Sequence, residues 1–237
     1  MIQAVFFDFN GVIIDDEPLQ LKAYREVLGR EGLTLTEEDY YGSLGMDDVA
    51  FVRAAFGRAA RELTDELLGR IVEEKTAAHR ELLKDELPLF PGVVTFIKAL
   101  ARRHALGLVS MARRTEIDHV LERAALGSLF AVVVSAEDVR AHKPDPSCYN
   151  NALELLNKGR SKADIIPLSA ADCLVVEDAP PGIQAARAAG MRTLGVTNTV
   201  PAKALRDAGA DAVTHSLADW TTDAVHHVFD TQWGRKD

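Results

Sequence analysis

The sequence predicts an α/β fold, a Rossmann-like parallel sheet core with helices on both faces plus an inserted all-helical cap. Three observations predict it. Short apolar runs alternate with stretches of helical periodicity along most of the chain. The alternation is interrupted once, from about Glu17 to Leu87, where only helical pattern occurs. Several of the apolar runs end on residues able to do chemistry, which in an open parallel sheet belong to one ligand-binding rim.

Taken in order, the strands are expected at Gln3–Phe7, Ala105–Ser110, Ala131–Ser135, Cys173–Glu177, Arg192–Val196 and Ala212–Thr214. Each is short and apolar, the pattern of a strand covered on both faces. Helices are expected at Val93–Arg103, Glu116–Leu126, Pro146–Asn157, Gly182–Ala189 and Ala202–Ala208, each with one apolar face. The interruption holds segments such as "LQLKAYREVLGREG" and "ELLGRIVEEKTAAHRELL". It closes at "LPLFPGV", where Pro88, Pro91 and Gly92 stiffen the return and start a helix. The expected organisation is a catalytic core of residues 1–16 and 88–237 around a cap of residues 17–87. No internal repeat or low-complexity region is present.

The 237 residues are 47% hydrophobic and carry a formal net charge of −9. That balance argues against a nucleic-acid groove or an anionic membrane surface. Cys148 and Cys173 are isolated, with no CxxC partner, so neither a zinc site nor a disulfide framework is indicated. The N-terminal run meets Asp8 too early for a signal peptide, and no apolar run reaches the length of a membrane span. The expectation is a cytoplasmic protein, a monomer or small homo-oligomer.

Four strand ends carry distinctive groups: Asp8 after "AVFF", Ser110 after "LGLV", Lys143 in "AHKPDP", and Glu177-Asp178 after "CLVV". Carboxylates, a hydroxyl and an ammonium on one rim suit phosphoryl transfer. A cation and a lysine neutralise phosphate oxygens so that a carboxylate can approach phosphorus. Hard oxygen ligands point to Mg²⁺ as the cofactor. Met111 follows Ser110, and its backbone N–H is a candidate donor to the phosphate. Met46 is read as a gap filler.

The stretches "FFDFNGVIIDDEP", "KPDPSCY" and "CLVVEDAPPGIQAARAAGM", with Ser110 at its strand end, resemble the haloacid dehalogenase superfamily. The resemblance is to its branch of phosphatases and phosphomutases with a helical cap after the first strand, and it runs over essentially the whole chain. It implies that Asp8 is the nucleophile and forms an aspartyl phosphate, and that Ser110 and Lys143 hold the phosphoryl group. It implies that Asp8, Asp178 and the main-chain carbonyl of Asn10 bind Mg²⁺, with Glu177 as ligand or supporting partner. Gly182 would allow the tight entry of a structural helix.

Asn10 departs from the family, which mostly has an aspartate there to protonate the leaving oxygen and then activate water. An amide does neither, and general acid–base catalysis is worth roughly 10²–10⁴-fold. Three readings stand open: an engineered substitution, a natural enzyme with another proton route, or a protein that binds phosphoesters without turning them over. Asp15 and Asp16 are read as capping or hinge residues at the entry to the first cap helix.

The cap is expected to set the substrate, through Gln20, the "YYGSLGMDD" turn with Gly45, and Lys75. Lys75 falls where related sugar-phosphate enzymes place a cap lysine, yet it also reads as the solvated face of a charged helix. A phosphomutase is the alternative function. The family's six-carbon mutases have a histidine in place of Gln20, an arginine in the cap turn and a lysine-asparagine pair in place of Arg113 and Arg114. Arg113 or Arg114 would then have to hold a second phosphate. A phosphonate hydrolase would need Lys75 or Lys22 as a Schiff base, and a dehalogenase would not need Glu177-Asp178. The histidines are scattered without metal spacing, and His226 and His227 are read as surface residues.

Overall fold

The computed structural model describes residues 1–231, so the tail "QWGRKD", expected to fray, lies outside the described residues. Six strands form one parallel sheet: β1 (Ala4–Phe7), β2 (Ala105–Val109), β3 (Val132–Val134), β4 (Cys173–Glu177), β5 (Arg192–Val196) and β6 (Ala212–Thr214), in the spatial order β3-β2-β1-β4-β5-β6. The order reverses beside β1, the place where an open parallel sheet leaves a crevice at its carboxyl edge. Register fixes that edge, because Phe7 lies opposite Leu108 on one side and Val176 on the other. Asp8, Ser110 and Glu177 therefore emerge on one rim.

Successive strand residues feed opposite layers, as pleating requires. Val5, Phe7, Leu106, Leu108, Leu174 and Val176 pack with α5 (Val93–Leu100) and α6 (Arg114–Arg123) on one face. Ala4, Phe6, Val109, Cys173 and Val175 pack with α7 (Ser147–Lys162) and α8 (Pro180–Ala188) on the other. Both cysteines are buried free thiols. Two shorter helices, α9 (Ala202–Asp207) and α10 (Thr222–His226), complete the described chain.

Between β1 and α5 lie α1 (Glu17–Arg30), α2 (Glu37–Tyr41), α3 (Asp48–Arg58) and α4 (Asp65–Leu82). Thr36, Asp47 and Thr64 cap the last three by accepting from Asp39, Ala50 and Leu67 backbone N–H groups. The four helices gather their own apolar cluster, including Tyr24, Leu28, Tyr40, Phe51, Phe56 and Ile71. Their two connections to the sheet run side by side: Asp15 N donates to Pro88 O at 2.7 Å, and Phe90 N donates to Ile13 O at 3.1 Å.

Several expected boundaries move. The strand beginning β2 ends at Val109, one residue early, because Ser110 turns toward Ala112. Helix α5 stops at Leu100, where Arg103 and His104 N–H groups fold back onto the Leu100 carbonyl to enter β2. Helix α7 runs to Lys162, past the expected Asn157, with Gly159 in an open position of its last turns. His226 is exposed and pairs with Asp230 at 2.7 Å, and His227 is exposed as expected. Among the described residues, no helix is long and apolar enough to cross a membrane.

Candidate active site

The rim is organised by Lys143. Its Nζ donates to Asp8 Oδ1 at 2.7 Å, Glu177 Oε1 at 2.6 Å and the Val109 carbonyl at 3.2 Å. All four residues sit at strand ends or, for Lys143, in the loop beyond β3. Burial opposes the lysine's charge, but Asp8 and Glu177 overcome it and hold the proton well above the ordinary range. Glu177 is fixed at both oxygens. Its Oε1 also accepts from Tyr149 OH at 3.0 Å, and its Oε2 accepts from the backbone N–H groups of Asp178 and Ala179 at 3.0 and 3.3 Å. Gly182 proves necessary for space at this point, since a Cβ there would overlap the Glu177 carboxylate.

Burial pushes the Asp8 carboxyl up to about 7, with Lys143 pulling it down and Glu177 pushing it up. Burial and the charges of Glu177 and Asp8 raise the Asp178 carboxyl well above its usual range. One lysine thus faces two carboxyls with a third beside them, and ligand oxygens of Asp8, Glu177 and Asp178 lie within 4.8 Å of one another. An all-oxygen set with surplus negative charge fits a hard divalent cation such as Mg²⁺. Ser110 is buried on the same rim, its Oγ accepting from Ala112 N at 3.0 Å, and Met111 lines the cavity beside it.

Asn10 lines the cavity too, but its amide faces away from solvent into a buried polar cluster. Its Nδ2 donates to both oxygens of Asp16, at 3.0 and 2.9 Å, and Gln20 Nε2 donates to Asp16 Oδ2 at 3.2 Å. His79 Nε2 lies 2.9 Å from the same oxygen, within ion-contact range but off the line of an N–H bond, so the ring has no aligned hydrogen bond. Asp16 is fully buried and its side chain caps nothing, which corrects the capping expectation. Pro18 in the first turn of α1 and the Asp16 carbonyl start that helix instead.

The roof of the cavity comes from α1 to α4. Gln20, Gly45 and Lys75 all line it, together with Glu17, Tyr24, Tyr40, Asp48 and, from α6, Glu116. Gly45, at φ +88°, lies against Pro181 and the Lys143 carbonyl, so that turn rests directly on the rim. Lys75 is 2% exposed, so the reading of a solvated helix face is wrong. Its Nζ reaches Asp48 Oδ1 at 3.0 Å and Glu116 Oε1 at 3.1 Å, while Tyr24 OH donates to Asp48 Oδ1 at 2.5 Å. Burial pushes the Glu17 carboxyl up to about 7, aided by the Asp16 charge and opposed by a hydrogen bond from Tyr40 OH.

Arg113 and Arg114 are not brought to the cavity. Arg113 turns to Glu73 at 2.7 Å and Thr76 at 3.3 Å, and Arg114 pairs with Asp118 at 2.9 Å along α6. Glu17, His79 and Glu116 went unread in the sequence as site residues, Asp16 was read as a cap or hinge, and Asp48 was read only as the end of the "YYGSLGMDD" turn. A signal did exist for His79 and Lys75. The buried positions of α4 are 68, 71, 72, 75 and 79, so both polar residues stand on the apolar stripe rather than off it.

A parallel sheet whose switch point gathers a buried lysine and three carboxyls beneath a roof of helices defines a Rossmann-like α/β protein with a ligand crevice at its carboxyl edge. The chain belongs to the haloacid dehalogenase-like hydrolase family, whose sequence profile matches residues 2–190. It is 34% identical over 220 residues to the phosphorylated carbohydrates phosphatase of Thermotoga maritima, covering 90% of this chain and 94% of that protein. It is 31% identical over 192 residues to the fructose-1-phosphate phosphatase YqaB of Escherichia coli, covering 81% of this chain and 95% of that one. The fold matches a crystal structure of β-phosphoglucomutase from Clostridium difficile with a TM-score of 0.85 at 21% identity, over 99% of this chain and 100% of that chain.

Proposed function

We propose that the protein is a Mg²⁺-dependent phosphatase of small phosphorylated metabolites, of the sugar-phosphate kind named for its relatives, working through an aspartyl phosphate on Asp8. Residues 17–87 act as a cap over the core of 1–16 and 88–237. The observation that carries this reading is the Lys143 ammonium between Asp8 and Glu177, with Asp178 uncompensated beside them. Mg²⁺ held by Asp8, Asp178 and the Asn10 carbonyl, with Glu177 in support, would supply the second positive charge that phosphate oxygens need. Asp8 Oδ forms a bond to phosphorus as the ester P–O bond breaks, while Lys143 and Ser110 hold the non-bridging oxygens. Water then attacks phosphorus, giving its proton to the Glu17 carboxylate left by the first step, as the Asp8–phosphorus bond breaks and inorganic phosphate leaves.

Asn10 supplies no proton to either step, because its amide is a hydrogen-bond donor to Asp16. Glu17 lines the cavity with a carboxyl near 7 and is the group assigned to the leaving oxygen. The mutase alternative is disfavoured, since Arg113 and Arg114, its holders of a second phosphate, are paired elsewhere. The test is Mg²⁺-dependent phosphate release from a panel of sugar phosphates and acyl phosphates. The protein is expected to release phosphate and Asp8→Asn to release none. Phosphate binding without release, by the protein and by Asn10→Asp alike, would instead support the binding-protein reading.

A further inference from the structure

The end of the cavity away from Asp8 is acidic and short of donors. Asp48 and Glu116 share the single ammonium of Lys75, at 3.0 and 3.1 Å, so this end keeps a net negative charge. Two acceptor atoms on lining residues have no partner: Asp48 Oδ2 and Gln20 Oε1, on side chains that are 8% and 5% exposed. The Gln20 orientation is fixed by its neighbour. Turning the amide over would set its oxygen against Asp16 Oδ2, which Nε2 now meets at 3.2 Å. A buried acceptor left unmade is unfavourable and is relieved by a donor.

Resting on the phosphatase reading above, we propose that this end recognises the non-phosphate part of the substrate through hydrogen-bond donors, prefers a primary ammonium to a hydroxyl, and rejects a second anionic group. An ammonium meets Asp48 Oδ2 and neutralises the surplus charge, whereas a hydroxyl only satisfies the acceptor. A carboxylate or second phosphate could bind Lys75 only by drawing it from Asp48 and Glu116, leaving two buried carboxylates against the incoming anion. Arg113 offers no relief, because Glu73 and Glu137 already face it at 2.7 and 3.7 Å.

The test compares three phosphoesters of matched length that differ only at the far end: 2-aminoethyl phosphate, 2-hydroxyethyl phosphate and phosphoglycolate. A six-carbon set, glucosamine 6-phosphate, glucose 6-phosphate and 6-phosphogluconate, repeats the comparison at larger size. Expected kcat/KM with Mg²⁺ falls about 10-fold from amine to alcohol and about 100-fold from amine to acid. Asp48→Asn should bring the amine to the level of the alcohol, and Glu116→Gln should narrow the gap if Asp48→Asn fails to fold. An acid hydrolysed as well as the amine in both sets overturns the proposal. Calorimetric binding of the same compounds separates the two readings. Amine-over-acid binding without phosphate release would sink the phosphatase reading and keep this one.

Discussion

The two ends of the cavity are built from the same unit, a buried lysine held between two carboxylates, yet they are suited to different ligands. At the rim, Lys143 joins Asp8 and Glu177, and a third carboxyl, Asp178, stands within metal-ligand distance. Under the roof, Lys75 joins Asp48 and Glu116, and the nearest free groups are single acceptor atoms. The third carboxyl is what fits the first end to the divalent cation and phosphate proposed for it. Under the roof the additional carboxyl, Glu17, is already engaged by Tyr40 OH, and that end is the one proposed above for organic donors. Chemistry here follows the charge left over after the lysine is paired, not the lysine itself.

Replacing each lysine breaks the comparison most directly. Lys143→Met and Lys75→Met each strand two buried carboxylates, and each should lower unfolding stability by about 3–5 kcal/mol in denaturant titrations. Phosphate release should vanish only in Lys143→Met, while Lys75→Met keeps turnover and loses discrimination among substrates. Equal losses of kcat in the two variants would show that the ends are not functionally distinct.

The next effect concerns position 10. Asn10→Asp alone sets two carboxyls at the 2.9 and 3.0 Å now spanned by the amide, so one of them must hold a proton and little catalysis is gained. Adding Asp16→Asn frees the new carboxyl, and the double variant should gain roughly 10²–10⁴-fold in kcat on alkyl phosphates. Steady-state kinetics of both variants checks this, and a full gain from Asn10→Asp alone would refute the coupling. Glu17→Gln should lower kcat about 10-fold or more on alkyl phosphates and leave acyl phosphates, whose leaving group needs no acid, unchanged. A uniform loss on both would remove Glu17 from the proton role.

The smallest effect is on stability without metal. Asp8 and Glu17 have folded-state pKa values of about 7, above ordinary values of 3.8 and 4.5. The folded state therefore binds more protons than the unfolded state between pH 4 and 7, and stability falls as pH rises through that window. Thermal unfolding in a chelator should show a midpoint declining from pH 5 to 7.5. Mg²⁺ should raise the midpoint more at pH 7.5 than at pH 5, and a pH-independent midpoint would contradict the burial of these carboxyls.

The sheet was legible in the sequence because runs such as "CLVV", ahead of Glu177, are apolar at every position, the pattern of a strand covered on both faces. The rim was legible because its residues follow strands directly. The roof was legible as helices but not as chemistry. Lys75 and Glu116 are 41 residues apart, and His79 and Asp16 meet only because α4 returns beside α1. Arg113 was misread for the same reason: its neighbour Glu73 arrives from α4, and nothing local announces it.

The Asn10–Asp16 pair carries a consequence for how such a chain can change. The residue at position 10 is favourable only against the residue at position 16, so the two substitutions are epistatic. A single step from Asn10 to aspartate passes through a crowded, proton-sharing intermediate, and the order of mutation decides the fitness of the path. Restoring an acid here is a two-residue event, with position 16 changing first.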